Sequence, residues 1–173
     1  YDMQSYKLNK IFNVINNKKF TILADSGDNP TAGGVGSRID VLEHVFKNKI
    51  QNTLFSGIFN EEIFIVLKNK KNKIVIKDSI SKKKISISID KFYLKNDNAI
   101  VTSNNNTIIF TKYRKPFHYL SDFKELNINL KKYKILIVKS GYLSPELKKL
   151  KADNFMILTD GFVTQDFKRI KNL

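Results

Sequence analysis

Asp25 and Asp28, followed by Asn29 and Pro30, lead into a turn that carries Gly33, Gly34 and Gly36. With Gly27, four of the chain's seven glycines fall in this one stretch. Glycine loses much conformational freedom on folding and tolerates positive φ, so the cluster marks backbone that bends sharply or is approached closely. A helix starting behind such a loop presents N–H groups and the positive end of its dipole, which suits an anion or a developing oxyanion. The two carboxylates beside it favour a functional reading of the loop. A loop that merely needs tight turns is the alternative. The loop is no Walker A, because no Gly-Lys-Ser/Thr closes it, and Gly34-Val35-Gly36 lacks the third glycine of a dinucleotide fingerprint.

Other candidates lie further on. Lys139 and Ser140 follow a short apolar run and could reach the same cleft; Lys139 is either a substrate contact or the point where the chain surfaces. Arg114 and His118 flank Lys115-Pro116-Phe117, and both stand open between a structural and a functional role. His44 is expected to be structural, on a helix flank beside Val45. Ser26, Ser37 and Ser140 have no assigned base, so no nucleophilic triad is supported. With two histidines and no cysteine, neither a disulfide nor a complete zinc site is expected from this chain alone.

These residues need elements to position them. Asp2 to Asn17 carries apolar residues at helical spacing, and Lys19 to Ala24 reads as a buried strand. Ser37 as N-cap with Asp40 behind it in a capping box, followed by the stripe Val41, Leu42, Val45 and Phe46, predicts the next helix. Thr53 to Phe59 reads as a strand; Glu61 to Asn69 fits helix or strand. Lys73 to Tyr113 alternates apolar and polar residues, with turns at Asn96-Asp97-Asn98 and Asn104-Asn105-Asn106. A short helix is expected near Tyr119 to Leu126 and a buried strand at Lys134 to Val138. Ser144-Pro145-Glu146 marks a helix start, and Phe155 to Leu158 is a last strand, closed by Thr159-Asp160-Gly161. Two strand–loop–helix units predict an α/β fold: a mainly parallel or mixed sheet flanked by helices, with a β-rich middle segment. Loops 25–36 and 139–144 should then converge beyond the C-terminal ends of the strands.

The 173 residues suit a single domain, 1–173. The formal charge of +15 invites a nucleic-acid reading. Yet arginine occurs only at Arg38, Arg114 and Arg169, and the lysines are dispersed among asparagines and isoleucines. That mixture reads as compositional drift on a solvated surface, so no nucleic-acid partner is expected. The densest basic run, Lys68 to Lys84, reads as a solvated hairpin rim. No apolar run approaches the ~20 residues of a membrane helix, and no leader-like segment follows Tyr1. A cytoplasmic piece of something longer, without a membrane partner, is the expectation.

Ala24 to Gly36, with its Asp28-Asn29-Pro30 core and glycines, resembles the signature that opens the C-terminal domain of the microcystinase C (MlrC)-like proteins. Arg114 to His118 through Asp122-Phe123, then Val138 to Leu147, then Leu158 to Gly161, resemble later blocks of that domain in the same order. Two blocks depart: Gly36-Ser37-Arg38-Ile39 stands where the family often has Gly-Asp-Ser-Thr, and Tyr142 to Pro145 replaces a His-Phe-Arg. The resemblance implies part of a zinc-dependent, metallopeptidase-like hydrolase whose best-known member cleaves linearised microcystin. It implies zinc ligands in an N-terminal domain of the same protein, and no metal on this chain, which would be inactive alone. It also implies a peptide or small-molecule substrate, with Asp25, Asp28, Asn29, Gly33, Gly34, Gly36, Arg114, His118 and Lys139 lining the shared cleft. An oligomer is compatible with it. A stand-alone module that binds an anion or small molecule is the alternative.

Overall fold

A computed structural model describes residues 3–78 and 80–160. In chain order the elements are β1 (Gln4–Lys7), α1 (Leu8–Val14), β2 (Thr21–Asp25), α2 (Asp40–Lys47), β3 (Thr53–Phe59) and α3 (Glu62–Lys68). There follow β4 (Lys73–Lys77), β5 (Lys84–Ser88), β6 (Lys91–Lys95), β7 (Asn98–Ser103), β8 (Asn106–Thr111) and α4 (Leu120–Lys124). The last described elements are β9 (Ile135–Val138), α5 (Pro145–Lys148) and β10 (Asp153–Leu158).

Eight strands form one sheet in the order β1-β10-β2-β9-β3-β8-β7-β6. From β1 to β8 every neighbour is parallel; β7 and β6 complete one edge antiparallel. This is the α/β architecture with a β-rich middle that the spacing predicts. The inner strand β2 is buried along its whole length because it is covered on both faces. Leu23 faces one core with Ile11, Val41, Leu42, Val45, Ile63 and Leu67 from the first three helices. Ile22 and Ala24 face the other, with Phe123 and Leu147 from α4 and α5. Fully burying a side chain of this size contributes about 1.5–3 kcal/mol, so both faces stabilise the strand that carries Asp25.

Three elements depart from the sequence pattern. The segment 2–17 is not one helix: Gln4–Lys7 pairs in parallel with Phe155–Leu158 before α1 begins. Seven residues of helix are marginal alone, and the free edge of β10 offers the preceding four a ladder instead. Ser37 does not cap α2; the N-cap is Ile39 and makes no side-chain cap bond. The ambiguous run resolves as α3, burying Ile63 and Leu67 at helical spacing. In the lysine-rich hairpin β4–β5 the lysines are exposed, while Ile74, Ile76 and Ile87 turn into the first core. At the end of the chain, Gly161 lies outside the described residues, as does Asp2 at its start.

Candidate functional site

Ala24 of β2 lies opposite Val138 of β9. One residue further on, Asp25 ends β2 and Lys139 follows the end of β9. Lys139 is 8% exposed, and its ammonium finds three acceptors: Asp25 Oδ2 at 3.2 Å, Asp28 Oδ2 at 3.1 Å and the Arg38 carbonyl at 2.9 Å. An ammonium has three hydrogens, so the lysine is fully satisfied. Burial works against its charge, but the Asp25 and Asp28 carboxylates outweigh that and raise its pKa above the ordinary lysine value.

Asp28 closes the glycine loop on itself. Its Oδ1 accepts from the Gly36 amide at 2.8 Å and its Oδ2 from the Arg38 amide at 2.7 Å. Asn29 organises the first half: its Oδ1 accepts from the Thr31 amide and hydroxyl, and its carbonyl accepts from the Gly34 amide at 2.8 Å. A side chain at Gly34 would meet the Asn29 backbone, with Cβ 2.7 Å from the nitrogen. Gly36 sits at φ +79, a region that favours glycine, and its carbonyl receives the Phe59 amide of β3 at 2.8 Å. Gly33 ends the short 3-10 turn Pro30–Ala32. Arg114 reaches across from the loop after β8, its Nη2 donating to the Pro30 carbonyl at 3.1 Å.

The amides ahead of α2 do not wait for an outside anion. Gly36 and Arg38 are taken by Asp28, and the Ile39 amide donates to Asp78 Oδ2 at 3.1 Å. Internal carboxylates fill the place that the helix start was expected to offer a ligand, which is also why Ser37 has no capping role. Asp25 likewise looks inward, its Oδ1 accepting from the Thr159 hydroxyl, which in turn accepts from the Gly27 amide. The gap beside Asp25, Arg38, Ser56 and Lys139 has a volume of about 10 Å³, the size of one water and no larger ligand.

Arg38, Asp78 and Thr159 complete this knot, and none of them is among the cleft residues the sequence led us to expect. Arg38 Nε donates to Asp78 Oδ2 at 3.2 Å and Nη2 to Asp40 Oδ2 at 2.6 Å. Asp78 Oδ1 accepts from the Ile80 and Ser81 amides at 2.8 and 2.7 Å. Burial pushes the Asp78 carboxyl up, but those amides, the Ile39 amide and the Arg38 charge together hold it below the usual range. Burial is the largest influence on Asp40 and raises its pKa. The tip of the β4–β5 hairpin is thereby tied to the glycine loop. One signal existed: Asp78 is the single acid in the lysine-rich run 68–84.

His118 lies beyond the knot. Its amide donates to Asp122 Oδ2 at 3.1 Å, its carbonyl accepts from the Ser144 hydroxyl, and its ring lies 5.7 Å from that of Tyr142. Its Nε2 is buried with no hydrogen-bond partner among the described residues. Ser144 caps α5 by accepting from the Leu147 amide, with Pro145 at the first helical position. His44 stacks on Phe12 at 5.0 Å, away from the loop. The described residues do not fit a zinc ion: Asp25 and Asp28 are bound to Lys139, Asp78 is bound to Arg38, the two histidines are apart, and no metal-ligating group of three or more occurs among them.

A family model described as MlrC C-terminus matches residues 23–72 and 77–172. The chain belongs to this family. The match takes in the glycine loop, Asp78, the 112–119 loop and Lys139. A solved structure described as "Putative metallopeptidase" from Mesorhizobium sp. BNC1 shares the fold at a TM-score of 0.68 and 11% identity. The alignment covers 93% of this chain and 37% of that one, so this MlrC C-terminus domain spans well under half the length of its structural relative. No curated protein matches the sequence. No helix among the described residues is long and apolar enough to cross a membrane.

Proposed function

We propose that this chain is the C-terminal domain of a zinc-dependent, metallopeptidase-like hydrolase. In that reading residues 1–173 form one domain, and the zinc ligands belong to an N-terminal domain of the same protein. This chain supplies a cleft wall and has no peptidase activity alone. The observation that carries the proposal is the braced glycine loop. Lys139 and Asp28 hold residues 28–38 from beneath at the C-terminal edge of the sheet, where open α/β sheets place their ligands. Membership of the MlrC C-terminus family and the fold shared with the Mesorhizobium protein support it.

The roles then divide by direction. Asp25, Asp28 and Lys139 are positioning residues, because their polar atoms are spent inside the protein. Gly33, Gly34 and Gly36 form the wall with Asn29, which sets its turn. Arg114, exposed beside Pro30, and His118 are the side chains proposed to contact a peptide or small-molecule substrate. The reading as a stand-alone anion binder is weakened because Asp28 and Asp78 already occupy the amides that such a ligand would need.

The test compares metal content and peptidase activity of the full-length parent with this chain. Zinc and activity in the parent, and neither in the fragment, is the expected outcome. Asp28→Ala in the parent should lower kcat while leaving its zinc in place. A parent that binds no zinc would sink the proposal.

A further inference from the structure

The loops after β8 and β9 carry a patch that the internal packing leaves uncovered. Tyr119 is 57% exposed, Tyr142 53% and Leu120 39%. His118 lies beside them, its backbone pinned by Asp122 and Ser144 and its ring 5.7 Å from that of Tyr142. Aromatic residues are enriched in protein interfaces and charged ones depleted at their centres. Tyrosine loses little rotamer freedom when covered, having two χ angles.

A second candidate surface is less suited. The groove between α3 and the β6–β7 turn, about 610 Å³, has Phe64, Ile65 and Leu94 in its lining, but beside the charged Glu61, Glu62, Lys68, Lys95, Asp97 and Lys112. Lysines at both ends of the free edge strand β6 guard it against pairing. The tyrosine patch instead adjoins the glycine loop through the Arg114–Pro30 contact. This chain accounts for 37% of its structural relative, and in the proposed two-domain reading the rest of the parent is encoded beside it.

We infer that the rest of the parent polypeptide docks on this face, covering Tyr119, Leu120 and Tyr142. The inference rests on the proposed two-domain hydrolase, and it names the surface by which the halves meet.

Tyrosine nitration of the native full-length parent tests it, with Tyr93 as internal reference. Tyr93 is only 40% exposed here, so on this domain's own surface Tyr119 and Tyr142 would react at least as readily. In the parent they should react at least about tenfold more slowly than Tyr93, as covered groups do. Any smaller protection, or reaction faster than that of Tyr93, overturns the inference. So does protection that appears only as concentration is raised, which would assign the face to a second copy. Metal content, measured on the same sample, separates the two claims: protection without zinc upholds the docking face and removes the hydrolase reading, while zinc without protection does the reverse.

Discussion

At the antiparallel edge, β6, β7 and β8 are joined by two-residue turns in which Asn96, Asp97, Asn104 and Asn105 all take φ between 48 and 58. At the C-terminal edge of the parallel half, the knot draws on Asp25, Asp28, Arg38, Asp78, Lys139 and Thr159. The first region is built by neighbours in sequence, each turn using residues that tolerate positive φ. The second is built across as many as 134 positions, as between Thr159 and Asp25, and only the assembled sheet brings its members together. Damage to the turns should therefore stay local and small, whereas damage to the knot should spread to the glycine loop and the hairpin at once.

The largest effect is expected from Lys139→Met. It leaves Asp25 and Asp28 buried without their cation, and breaking a buried pair in this way costs about 3–5 kcal/mol. Urea denaturation measures it, and a loss under about 1 kcal/mol would show that the knot is not the structural centre argued here. Asp78→Ala comes next, at about 3 kcal/mol, because Arg38 keeps its charge but loses a partner. In a double-mutant cycle with Lys139→Met the two should couple by about 1 kcal/mol or more, since Arg38 links both. Strict additivity would divide the knot into two independent sites.

The pH dependence of these variants sharpens the contrast. Lys139 binds its proton more tightly in the folded chain, so its stabilisation is complete below the ordinary lysine pKa of ~10.4 and is lost as pH rises through the higher folded value. Asp78 is shifted the other way: its contribution is present above the ordinary aspartate value of ~3.9 and is lost as pH falls through the lower folded value. The gap between wild type and Lys139→Met should thus shrink at strongly alkaline pH, and that for Asp78→Ala below about pH 4. Chemical denaturation across pH reads both, and gaps that stay constant would contradict the assignment.

The smallest effect belongs to the turns. Asn105→Gly, at φ 57, should change stability by no more than about 1 kcal/mol. It should add to Lys139→Met within about 0.5 kcal/mol, because the regions share no partner. Coupling beyond that would mean that the meander and the knot are one cooperative unit.

Period-two alternation, the asparagine turns, the buried runs of β2, β3 and β9, and the Ser144–Pro145 cap were legible because each depends on residues close in sequence. The glycine loop was legible too, since its glycines answer to local backbone demands such as the close approach at Gly34. Even the meeting of loops 25–36 and 139–144 followed from parallel strand order. The start of α2 was misread, because a carboxylate 40 residues away from Arg38 competes for the same amides as a local cap. Segment 2–17 was misread for a related reason: its helical spacing is real, but the edge of β10 claims four of its residues.

Sequence by itself determined most of the elements, the apolar runs that let the inner strands bury both faces, and the residue types gathered at one loop. Tertiary structure alone decided which way those residues point. Whether Asp28 and Lys139 face solvent or each other depends on where β2 and β9 end side by side, and on a hairpin from residues 73–88 returning Asp78 to the loop. Charges removed from water must be paired, and the partners available for pairing are fixed by the fold rather than by sequence distance.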